Sequence, residues 1–138
     1  MMKTVGLWID LQKAVIVSAT EQVVGIEFVN SYIDNRRWQL DVWELPAAIK
    51  QRMSDDQLGR FYANVSGFVL NARSVLIFGP GEAKSELRRR LGIDNYTGTI
   101  VGCETAGRMT ESQIVSKVQH RFGVHHGVAV SAVRRALP

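Results

Sequence analysis

A chain of 138 residues, 46% hydrophobic and 22% charged, has the size and composition of one globular domain, which excludes a largely disordered or fibrous protein. Seventeen Lys and Arg against thirteen Asp and Glu leave a net charge of +4, which suits a polyanionic partner without assigning one. Cys103 is the single cysteine, so an internal disulfide is excluded, and no apolar run reaches the ~18 residues that a membrane-spanning helix needs.

The first residues pass from Met1-Met2-Lys3 straight into alternation, with Val5, Leu7 and Ile9 on one side, so no leader peptide is expected and the protein is read as cytoplasmic. Asp10-Leu11-Gln12-Lys13 reads as a tight turn into a second strand, Ala14 to Ser18, and a polar break at Thr20-Glu21-Gln22 leads into a third, Val23 to Val29. These three strands form an antiparallel meander. From Asp34 to Met53 the period is lost, and residues 33–57 are read as an insertion in which Pro46 suits the first turn of a short helix. Ser54 with Gln57 then has the spacing of an N-terminal capping box, ahead of Leu58, Phe61, Tyr62, Val65 and Val69 on one helical face up to Asn71.

The continuous apolar run Val75-Leu76-Ile77-Phe78 predicts a strand buried on both faces. Gly79-Pro80-Gly81 turns it into a short helix, where Ala83, Leu87 and Leu91 face inward, Glu86 and Arg90 have pairing distance, and Gly92 provides a stop. Thr99 to Cys103 is the next strand, and Thr110 with Gln113 caps a helix carrying Ile114, Val115, Val118 and Phe122. Residues 123–138 fit a closing helix, an added strand or a loosely ordered tail. The whole reads as one domain, 1–138, of α/β class: a mixed sheet in which a three-stranded meander is followed by α-β-α-β-α, the order of ribonuclease-H-like folds.

In this order, and in the elements Val75-Leu76-Ile77-Phe78-Gly79 and Ala83-Lys84-Ser85-Glu86-Leu87, the chain resembles the middle domain of class I peptide-chain release factors of archaea and eukaryotes and their small bacterial relatives. The resemblance implies a component of the translation machinery that works on the ribosome. It also implies a Gly-Gly-Gln loop between the third strand and the first long helix, and here the chain departs from the family, because no two glycines are adjacent anywhere in it. Catalysis of peptide release is therefore not expected. What remains is an accessory protein binding ribosomal RNA or a ribosomal partner.

Several residues are candidates for that contact. Gly79 and Gly81 precede a helix whose Lys84, Arg88, Arg89 and Arg90 add positive charge, an arrangement able to meet phosphate, although it lacks the spacing of a nucleotide-binding loop. Arg36, Arg37, Trp38 and Trp43 have the composition of a base-stacking or subunit-interface segment. Two alternatives stay open: a divalent-metal nuclease that gathers Asp10, Glu82 and Glu104 from the ends of the first, fourth and fifth strands, and a homo-oligomeric scaffold. His120, His125 and His126 lack ligand partners at metal-binding spacing and are read as surface histidines, so neither a metal nor a cofactor is expected.

Overall fold

The computed structural model describes residues 3–20, 24–31, 47–123 and 130–136. Strands β1 (Thr4–Ile9), β2 (Lys13–Ala19) and β3 (Val24–Asn30) form the expected antiparallel meander, with Leu7 opposite Ile16 and Ile16 opposite Glu27. Helix α1 (Ala47–Val69) leads to β4 (Ser74–Gly79), which lies parallel to β1. Helix α2 (Ala83–Ile93) then leads to β5 (Thr99–Thr105), parallel to β4, and helix α3 (Glu111–Phe122) to β6 (Val130–Ala136), parallel to β3. The six strands make one mixed sheet in the order β5-β4-β1-β2-β3-β6, the ribonuclease-H-like arrangement extended by one strand at the β3 edge.

The central strands are apolar at successive positions because both of their faces are covered. Val75 and Ile77 of β4 pack with Phe61, Val65, Leu87 and Leu91 beneath α1 and α2, while Leu76 and Phe78 pack with Ile114 and Val118 beneath α3. β1 divides in the same way, Leu7 and Ile9 to the first core and Trp8 to the second.

Three local expectations are corrected, and a fourth, left open, is decided. Helix α1 starts at Ala47 and runs unbroken through Ser54, which is therefore no N-cap, and it ends at Val69. Residues 47–57 of the expected insertion are its first half. No Gly or Pro interrupts the sequence from Ala47 to Leu58, so the helix propagates through a residue that at a free end would have capped it. Gly92 does not stop α2; the cap is Asp94, and Asn95 takes the left-handed conformation at φ 59°. Glu86 pairs with Arg89 and Arg90 with Asp94, so the expected Glu86–Arg90 pair does not form. Finally, of the three readings of residues 123–138, the added strand holds for Val130 to Ala136, which form β6.

Candidate nucleic-acid interface

Gly79 and Gly81 are required by the geometry of the turn that aims α2. At φ 150°, Gly79 sits so close to β1 that a β carbon on it would fall 2.2 Å from the carbonyl oxygen of Ile9, and Gly81 is left-handed at φ 63°. The carbonyl of Gly79 accepts from the amide of Ala106 at 3.1 Å, tying the turn to the segment after β5. On α2, Ala83, Leu87 and Leu91 are buried, so Arg88 and Arg89 project outward, with Lys84 and Arg90 half-exposed at the margins.

The expected cations are thus on one helix, but most are already engaged. The ammonium of Lys84 donates to the carbonyl of Gly81. Arg89 donates to Glu86 Oε2 through Nη2 at 2.9 Å and Nε at 3.3 Å. Arg90 Nε donates to Asp94 Oδ2 at 3.1 Å, and the same oxygen accepts from the buried hydroxyl of Ser66 on α1 at 2.7 Å. The Ser66 hydroxyl and, after it, Arg90 hold the Asp94 carboxyl below the usual carboxylate range. Arg88 is exposed, and its side chain makes no hydrogen bond or ion pair with the described residues.

From Glu82 to Asp94 four cations face three carboxylates, so the helix presents a net charge of only +1. Glu82 is itself the N-cap residue of α2, with no side-chain cap hydrogen bond. An acid at this position works against anion binding at the helix N-terminus, and the cationic character of α2 therefore lies along its outward side. Ser66 and Asp94 are the residues that sequence reasoning missed. The signal for Asp94 was its four-residue spacing from Arg90, whereas nothing local links it to Ser66, 28 residues earlier.

The acidic candidates are not brought together. Asp10 Oδ1 accepts from the amides of Gln12 at 2.8 Å and Lys13 at 2.9 Å, closing the β1–β2 turn. Glu104 lies within β5, opposite Phe78, not beyond the strand as expected, and pairs with Lys117 of α3 at 3.0 Å. Among the described residues no group of three His, Cys, Asp or Glu is placed to hold a metal ion. His120 is exposed on α3 and Cys103 is a half-buried free thiol. Arg36, Arg37, Trp38, Trp43, His125 and His126 lie outside the described residues.

No protein-family model matches this chain, and no curated protein sequence matches it. Among solved structures the fold is similar to that of the archaeal translation termination factor aRF1, at a TM-score of 0.56 and 13% identity over 84% of this chain and 33% of that one. The Pelota protein of Thermoplasma acidophilum aligns at a TM-score of 0.47 and 16% identity over 85% of this chain and 34% of that one. The chain thus spans about a third of the length of each. With aRF1 it shares an architecture, a mixed α/β sheet of ribonuclease-H-like order.

Proposed function

We propose that this domain is a translation-associated accessory module that binds ribosomal RNA, or a ribosomal partner, through the outward side of α2, and that it does not itself catalyse peptide release. The observation that carries the reading is the likeness of fold to a translation termination factor over 84% of the chain. Two features agree with it: the cationic residues Lys84, Arg88, Arg89 and Arg90 share one helix, and the sequence contains no Gly-Gly-Gln tripeptide. A ribosomal role implies a cytoplasmic location, and among the described residues no helix is long and apolar enough to cross a membrane. The nuclease alternative draws no support from the separate engagements of Asp10 and Glu104, and no observation favours the scaffold.

Co-sedimentation with ribosomes across a salt series tests the proposal, comparing the native protein with a variant in which Lys84, Arg88, Arg89 and Arg90 are replaced by Gln. Pelleting that falls with salt and is lost in the variant supports it. Absence of pelleting at low salt rejects it.

A further inference from the structure

The cationic side of α2 carries its own competitor. Arg89 is the most exposed member of its ion pair, at 71% for its side chain against 45% for Glu86, and both nitrogens that face the carboxylate converge on the single oxygen Oε2. An exposed pair three residues apart on a helix is weak, a factor of about two to five in an equilibrium constant. The two non-bridging oxygens of a phosphodiester offer the same guanidinium a charge-assisted, two-pronged contact of at least equal strength. Arg90 is held differently: its partner Asp94 is fixed in turn by the buried Ser66, so that pair is anchored to α1 and is not free to exchange. Among the described residues the face therefore has one unpaired guanidinium, Arg88, one exchangeable one, Arg89, and one anchored one, Arg90.

We propose that Glu86 acts as an internal competitor for polyanions on α2, occupying Arg89 in the free protein and yielding it to an RNA phosphate on binding, so that weak contact with any nucleic acid is suppressed. This inference rests on the assignment of α2 as the RNA-facing surface and sets how much of its charge is available. It makes Glu86 a specificity-determining residue, since only a ligand that places a phosphate against Arg89 as well as Arg88 recovers the cost of breaking the pair.

The test is the affinity of a fluorescein-labelled oligouridylate, measured by anisotropy between about 50 and 200 mM potassium chloride, for the native protein and for Arg88→Gln, Glu86→Gln, Arg89→Gln and the Glu86→Gln/Arg89→Gln double variant. Release of Arg89 is expected to tighten binding about two- to five-fold in Glu86→Gln with little change in the salt slope, because Arg89 meets a phosphate in both complexes, whereas Arg89→Gln should flatten the slope by about 0.7, one phosphate on a single strand. The gain in affinity should vanish when Arg89→Gln is added. If Glu86→Gln tightens binding equally in the Arg89→Gln background, the carboxylate acts only through its general field and the competition is refuted. Should Glu86→Gln leave affinity unchanged while Arg88→Gln weakens binding, the competition is refuted and the RNA-facing role of α2 stands. If neither the native protein nor any variant binds, the competition for RNA phosphate is refuted, and the ribosome co-sedimentation alone decides the accessory role.

Discussion

Val118 of α3 stands directly on the backbone of Gly6 in β1: a β carbon built at residue 6 would lie 2.3 Å from Val118 Cγ2 and 2.9 Å from Cγ1. Val118 is fully buried, and Gly6 sits between Val17 of β2 and Leu76 of β4, so neither partner has room to retreat. The missing side chain is what lets a single helix approach the sheet closely enough to cover its second face. Gly6→Ala is expected to cost about 1–3 kcal/mol by overpacking, and Val118→Ala about 2 kcal/mol by loss of buried surface. In the double variant the new methyl enters the space vacated by the valine, so its loss should fall short of the sum by about 1 kcal/mol or more. Urea denaturation of the four proteins measures this, and strict additivity would show that the contact does not limit the approach of α3.

Gly79 and Gly81 lie two residues apart in one turn but answer to different constraints. At Gly79 a methyl group meets the Ile9 carbonyl at 2.2 Å in addition to the unfavourable φ, whereas at Gly81 nothing lies within 4 Å and only the backbone conformation is strained. Gly81→Ala is expected to lose about 1–2 kcal/mol, the cost of a left-handed residue. Gly79→Ala should lose about 3 kcal/mol or more, because the paired ends of β1 and β4 must also separate. Equal losses would mean that the close approach to Ile9 relaxes freely.

Much of this architecture is legible in the sequence wherever local signals and burial agree. The run Val75 to Phe78 announces a strand covered on both faces, and the Thr110–Gln113 box caps α3 through both of its reciprocal hydrogen bonds. The start of α1 is misread because Ser54 and Gln57 satisfy the same local pattern without standing at a helix end. Strand β6 is ambiguous because its valines fit several periods, and what selects the strand is the free edge of β3, a property of the assembled sheet. The candidate interface divides in the same way. Its cations can be counted from the sequence, but their engagement by Gly81, Glu86 and Asp94, the last held by Ser66, depends on helix phase and on the packing of α1 against α2.

Asp10 can be assigned by its atoms. One carboxylate oxygen accepts from two successive amides of the β1–β2 turn, a role that an amide oxygen performs equally well. Asp10→Asn should therefore stay within about 0.5 kcal/mol of the native stability, while Asp10→Ala, which strands both amides, should lose about 1 kcal/mol. A loss in Asp10→Asn as large as in Asp10→Ala would show that the negative charge, and not the hydrogen bonds, is what the turn requires.

The alkaline limit of the fold should be set in large part by Tyr62. Its ring lies in the core beneath α1, tilted against Phe61 at 5.4 Å between centroids, and burial, with the nearby Glu86 charge as the lesser cause, pushes the phenol up from 10.0 to about 12. Between these values the unfolded chain releases a proton that the folded chain retains. The folded state then binds more protons, and stability must fall as pH rises. The contribution is intact below about pH 10 and is lost progressively toward pH 12. Burial also raises Tyr96, whose hydroxyl donates to the carbonyl of Ala72 at 2.9 Å, so removing Tyr62 alone leaves a residual slope. Urea midpoints followed through this range should fall less steeply in Tyr62→Phe than in the native protein. Glu86→Gln, which removes only the lesser cause, should give an intermediate slope. If Tyr62→Phe keeps the full native slope, the loss of stability in alkali comes from another group, and Tyr62 ionises in the folded state as freely as in the unfolded chain.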